Sequence, residues 1–310
     1  MRILLTGGTG FLGKNIQENL GQFMNQDYSL SVMGSSVYDL RCQHACRKMV
    51  QYHNPDVIVH AAGSVGGIGA NQENPGKFMY ENLIMGANLV ERARIEKVQK
   101  FVLLGTVCAY PKHTPVPFVE EHLWDGYPEE TNAPYGIAKK TLMRNLQAYG
   151  EQYGMRGANL IPVNMYGPHD HFNLTSSHVI PALILKFYNA MKDGGNVELW
   201  GTGSASREFL YAADCVQAIA RAIETEVDLD PINIGTGKEI TIRDLATEIA
   251  EQMGYEGEIK WQADKPDGQP RRCLDTSKAK ELLDFEAKTN LQTGLKETIK
   301  WFLNDKKLEK

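Results

Sequence analysis

The chain has 310 residues, 42% of them hydrophobic, with a formal net charge of −5 and an isoelectric point near 5.9. That is enough chain for two lobes and a sizeable core. Its acidity excludes a nucleic-acid backbone as the main partner, because such binding needs a basic face. Five cysteines, Cys42, Cys46, Cys108, Cys215 and Cys273, are scattered and odd in number, so no disulfide framework is expected. "RCQHAC" (41–46) lacks a second ligand pair at zinc-like spacing, and "PHDHF" (168–172) reads as a polar loop, so no metal is expected. Met1-Arg2 runs straight into an apolar strand, and no apolar run approaches the ~20 residues of a spanning helix. The expectation is a cytoplasmic protein with no membrane and no nucleic-acid partner.

The first element is "MRILLTGGTGFLGKNIQENL": a buried strand at Ile3 to Leu5, a glycine turn, then an amphipathic helix. Gly7, Gly10 and Gly13 have the spacing that lets a backbone approach a pyrophosphate at a helix amino terminus, with Phe11 and Leu12 in the same turn. The second strand, "SLSVMG" (29–34), ends in Gly34-Ser35-Ser36 rather than in an acid. No carboxylate stands there to repel a 2′-phosphate and two hydroxyls can donate to one, so NADP(H) is the expected cofactor. Arg41 is the nearest basic residue, and Asp39-Leu40 would border the adenine. "PDVIVHAAG" (55–63) and "KFVLLGTVCAYP" (100–111) are further buried strands. Ala61, Ala62 and Gly63, and likewise Gly105 to Cys108, then fall at carboxyl ends of parallel strands, where ligands sit.

"TNAPYGIAKK" (131–140) places Tyr135 and Lys139 one helical turn apart on one face. A nearby ammonium would pull the phenol down from its ordinary value near ~10. An aromatic beside a solvated lysine is the plainer alternative. Alternation of strands and helices through about residue 165 predicts an α/β fold, a doubly wound parallel sheet of Rossmann type, with a smaller α/β substrate-binding lobe. Residues 1–165 form the dinucleotide-binding domain, with 208–223 returning to it, and 166–310 the nucleotide-sugar lobe. Within the latter, "TIRDLATEIAEQMG" (241–254) reads as a helix capped by Thr241.

With T-G-G-T-G-F-L-G, H-A-A-G and Tyr135…Lys139 in this order, the chain resembles the extended short-chain dehydrogenase/reductase family. "PVNMYGPHDHF", "SSHVIPALILKF", "WGTGSASREFLYAAD" and "PDGQPRRCLDTSKA" are similar to the branch that handles GDP-linked 4-keto-sugars. The resemblance implies reduction of a C4 ketone by NADPH after epimerisation at C3 and C5. It puts the catalytic hydroxyl, tyrosine and lysine at Thr106, Tyr135 and Lys139, and the epimerisation pair at Cys108 and His178. Thr106 stands where a serine is usual in this branch. Val163 and Asn164 would hold the nicotinamide, with Tyr135, Lys139 and His178 also against the cofactor. Arg207, Lys186 and Arg271 or Arg272 are the cations expected at the sugar-nucleotide pyrophosphate, and Trp200 the surface expected against base or sugar. The branch also implies a homodimer. The nearest rival reduces C4 alone on a GDP-4-keto-heptose; a dinucleotide-binding sensor without catalysis is the alternative of another class.

Overall fold

The computed structural model describes residues 1–174, 177–265 and 269–308. The first half alternates β1 (Arg2–Thr6), α1 (Phe11–Asn19), β2 (Ser29–Met33), α2 (Gln43–His53), β3 (Val57–His60), α3 (Ile68–Glu73), α4 (Pro75–Ile95), β4 (Lys100–Leu104), α5 (Ala133–Tyr153) and β5 (Gly157–Pro162). The second half runs β6 (Asn164–Tyr166), α6 (Val179–Asp193), β7 (Val197–Trp200), β8 (Ser206–Tyr211), α7 (Ala212–Glu224), β9 (Pro231–Ile234), β10 (Glu239–Thr241), α8 (Ile242–Met253), β11 (Ile259–Gln262), α9 (Ser277–Leu283) and α10 (Leu291–Leu308).

Every residue of β3 and β4 is buried, as the short apolar runs require of strands covered on both faces. They belong to a six-stranded parallel sheet of order β2-β1-β3-β4-β5-β9. Chain direction across the sheet reverses between β1 and β3, and a crevice opens at the carboxyl ends of strands at such a switch point. The doubly wound fold is therefore present.

Two smaller sheets, β10-β8-β6 and β11-β7, carry the second lobe. Its own core gathers Tyr166, Ile184, Phe187, Leu245, Ile249 and Phe302. Thr241 caps α8 by accepting the backbone N–H of Asp244 at 3.0 Å. The larger core takes in more of the second half than the 208–223 return: Ile232, Ile234, Leu274, Leu283 and Phe285 join it too. Lys100 helps bind α7 to the sheet. Its buried ammonium donates to the carbonyls of Ile223 (3.0 Å) and Thr225 (2.8 Å), where that helix runs out of internal donors.

Candidate active site

A cleft of about 1490 Å³ runs from the β1–α1 turn to the second lobe. A usual small-ligand pocket holds roughly 300–1,000 Å³, so this one has room for two ligands. One end is made of backbone. Gly7 has φ +74°, and a Cβ on it would lie 2.6 Å from the backbone nitrogen of Ala62. A Cβ on Gly13 would lie 2.2 Å from the carbonyl of Gly7. Only glycines allow this close fold of turn, helix and β3 loop. Gly10 is the N-cap of α1 with no side-chain cap, so the first N–H groups of the helix are left for an anion. This cradle fits a dinucleotide pyrophosphate. Phe11, Leu12, Ser35, Asp39, Leu40, Ala61, Ala62, Gly63, Val163 and Asn164 line the same cleft. Ser36 does not: it is exposed in the turn beyond β2, where successive residues diverge and only Ser35 faces inward.

Thr106, Cys108, Tyr135, Lys139 and His178 also line the cleft. Thr106 opens a short helical turn, and its hydroxyl accepts the backbone N–H of Cys108 at 3.2 Å. Gly136 lets α5 seat against this turn, because any Cβ there would lie 2.2 Å from the Cys108 carbonyl. Tyr135, the preceding residue, is thereby brought into hydrogen bonding with Thr106. Burial holds the phenol well above its ordinary value, the nearby Cys108 thiolate would raise it further, and the Thr106 hydrogen bond opposes both.

Lys139 behaves differently from the sequence expectation. Its ammonium donates to the carbonyl of Leu104 at 3.0 Å rather than to Tyr135, and does not account for the phenol's shift. Burial lowers that ammonium to about 8. Behind it, His60 lies against Thr6 (Nδ1 to Oγ1, 2.8 Å), and burial next to Lys139 drops its imidazole to about 3. His60 is therefore neutral, and Lys139 carries the local positive charge. His178 is open to the cleft yet crowded by protein on other sides, which lowers its imidazole below the ordinary value.

The second lobe supplies Trp200 and Arg207 to the cleft, but not two of the cations expected there. Lys186 lies outside the lining, its ammonium captured by the carbonyl of Glu198 at 2.7 Å where α6 packs on β7. Arg271 faces away and pairs with Glu239 at 2.6 Å. Its neighbour Arg272 faces inward instead and reaches Cys108 Sγ at 3.8 Å. The extended segment 270–272 is tied to β8 by Ser206 N to Pro270 O (2.9 Å) and Glu208 N to Arg272 O (3.1 Å). In extended chain, neighbours point oppositely, so the one charge that meets Glu239 excludes the other from it. Ser176 of "SSHVIP" and residues 266–268 of "PDGQP" lie outside the described residues.

Sequence reasoning missed two supports. Asn82 of α4 accepts the N–H of Ser64 (3.0 Å) and donates to its carbonyl (2.8 Å), fixing the loop after β3. Buried Glu208 accepts from Gly237 N (2.8 Å), Thr236 N and Leu274 N (2.7 Å), so one carboxylate joins three segments beneath Arg207 and Arg272. An acid inside an apolar strand, "REFLY", was the available signal. Among the described residues, no group of three histidines, cysteines or acids converges as a metal site would require.

A glycine cradle at one end and a hydroxyl, phenol and ammonium at the other define a dinucleotide-dependent enzyme of the extended α/β type. The chain belongs to the NAD dependent epimerase/dehydratase family, whose pattern matches residues 3–235. Within it, the chain is similar to the GDP-L-fucose synthase of Sinorhizobium fredii: 38% identical, over 98% of this chain and 96% of that protein. A GDP-L-fucose synthetase of Naegleria fowleri, solved with NADP bound, superposes with a TM-score of 0.91 at 27% identity, covering 99% of this chain and 95% of that one. A GDP-6-OMe-4-keto-L-xylo-heptose reductase of Campylobacter jejuni gives 0.90 at 26% identity, covering 98% of each.

Proposed function

We propose that this protein uses NADPH to reduce the C4 ketone of a GDP-linked 4-keto-sugar after epimerising C3 and C5, as a GDP-L-fucose synthase does. The observation that carries the reading is the convergence of Thr106, Cys108 and Tyr135 on one wall of a cleft whose far end is the glycine cradle. The reduced nicotinamide, when bound, supplies hydride to the ketone carbon. Everything else falls to the chain. Thr106 donates a hydrogen bond to the carbonyl oxygen, and Tyr135, held in its neutral form by burial, donates the proton. A well-placed donor to such an oxyanion is worth about 3–4 kcal/mol. Lys139 holds the nicotinamide ribose and stabilises the phenolate left behind.

The same oxygen site makes the C3 and C5 protons acidic. Cys108 removes a proton and His178 returns one on the opposite face; ordinary values near ~8.5 and ~6.5 suit both to neutral pH. Arg207 and Arg272 take the GDP pyrophosphate, and Trp200, 68% exposed at the rim, offers a flat surface to the base. Cytoplasmic location and a homodimer joined through α4 and α5 are part of the proposal. In their support, no helix among the described residues is long and apolar enough to cross a membrane. Tyr80 and Tyr153 on those helices are exposed at 60% and 47%.

The test is incubation with NADPH and GDP-4-keto-6-deoxy-mannose in deuterated water, then with the heptose counterpart, with products assigned by NMR. Reduced product labelled at C3 and C5, with label lost in Cys108→Ser and His178→Gln, is expected. Turnover of the heptose alone, without label, would replace the proposal by C4 reduction only.

A further inference from the structure

At the end of the cleft away from Tyr135, the wall is formed by the turn after β2 and by α4. There Arg41 is clamped by two carboxylates. Asp39 takes its Nε at 2.9 Å and Nη2 at 2.8 Å, side on. Glu81 of α4 takes Nη1 at 2.8 Å. The other cations lining the cleft belong elsewhere. Lys139 lies beside Leu104, Arg272 beside Cys108, Arg207 on the strand paired with residues 270–272, and Lys112 beside Gln269, which donates to its carbonyl at 3.0 Å. Among the described lining residues, Arg41 is thus the one positive charge at the adenosine end. Ser35 lines that end too.

We propose that Arg41, with Ser35, reads the 2′ position of the cofactor's adenosine ribose, and that the Asp39 and Glu81 carboxylates set how strongly a 2′-phosphate is preferred to a free 2′-hydroxyl. The inference rests on the dinucleotide reading of the cleft and adds its selector. A guanidinium has five N–H donors in a fixed fork. Asp39 and Glu81 engage three nitrogens through one N–H each, which leaves two N–H groups for a phosphate. Arg41 and Asp39 side chains are 48% and 45% exposed, so their pair exchanges with solvent and with ligand at little cost. Glu81, at 16%, anchors the guanidinium from the protein side. Two carboxylates around one guanidinium leave the cluster at −1, which weakens its pull on a dianion. Asp39, which can only accept, also offers a partner to the ribose hydroxyls of NAD(H). The cluster therefore favours phosphorylated cofactor modestly and admits both.

The experiment measures dissociation constants of NADP⁺ and NAD⁺ by calorimetry on the whole chain without sugar nucleotide, so no turnover is needed. In the wild type the preference for NADP⁺ should be within about tenfold and shrink with added salt. Arg41→Ala should move the ratio toward NAD⁺ by about tenfold or more, and Arg41→Lys, which keeps charge without the fork, by less. Asp39→Asn should move it toward NADP⁺. A ratio within twofold of wild type in both Arg41→Ala and Asp39→Asn, with melting curves showing both folded, overturns the proposal alone. Failure of the wild type to bind either nucleotide overturns the dinucleotide reading and this inference with it.

Discussion

The two ends of the cleft are built from different material. The cofactor end is backbone: three glycines within seven residues, a helix terminus, and a β3 loop pressed so close that one added carbon collides. The sugar end is side chain: Arg207 from β8, Arg272 from an extended segment some 65 residues later (272 − 207), and Trp200 from the end of β7. Between them lies the chemical centre, where the turn after β4 meets α5. Backbone sites tolerate no variation at their glycines and accept any ligand with a pyrophosphate. Side-chain sites can be rewritten one residue at a time, and they decide which sugar is taken. The C. jejuni heptose reductase has the same fold at 26% identity, as that division allows.

The sharpest way to test the division is at the centre, where both ends must be occupied. Tyr135→Phe removes the proton donor and leaves the ring that packs against the Thr106 turn. Rate should fall by about 10²–10⁴-fold, with both ligands still bound. NADPH consumption gives the rate, and calorimetry the two affinities. A fall in either affinity as large as the fall in rate would mean that Tyr135 serves binding rather than chemistry.

Next in size are two substitutions that should separate the ends. Gly13→Ala puts a methyl 2.2 Å from the Gly7 carbonyl, and overpacking of this kind costs about 1–3 kcal/mol. The loss should appear in NADP⁺ affinity and not in GDP affinity. Glu208→Gln places an amide where three backbone N–H groups need an acceptor. Mispairing of a buried group costs about 1–3 kcal/mol, and it should loosen the strands beneath Arg207 and Arg272. Here GDP affinity should fall and NADP⁺ affinity hold. The reverse pattern in either variant would show that the two ends are one cooperative unit.

The same contrast explains what could be read in advance. The cradle is contiguous, so glycine spacing alone locates it, and the buried strands announce their own parallel sheet. Tyr135 and Lys139 were visible as a pair, but the direction of the lysine was not, because the Leu104 carbonyl that captures it comes from another strand. At the sugar end, spacing carries little. Arg271 and Arg272 are adjacent and equally basic, and only the position of Glu239 across the sheet decides which one faces the cleft. Lys186 reads as a phosphate ligand until β7 is seen to hold its ammonium.

The smallest effect comes from Lys139 and is set by pH. Burial brings its ammonium to about 8 in the folded protein, against an ordinary 10.5. If the charge on Lys139 is needed to hold ribose and stabilise the phenolate, kcat/KM for reduction should decline above pH 8, by about tenfold at pH 9. Stability runs the other way. Between 8 and 10.5 the unfolded chain keeps a proton on Lys139 that the folded chain has released, so this residue's contribution to stability rises with pH across that window and is lost as pH falls through 8. Lys139→Met removes the linkage, so the stability of wild type relative to the variant should climb between pH 8 and 10.5 in denaturant titrations. Activity falling while that difference climbs is a combination alkaline denaturation cannot produce. A flat difference would mean that the ammonium is not desolvated in the free protein, and that the Leu104 carbonyl is not its resting partner.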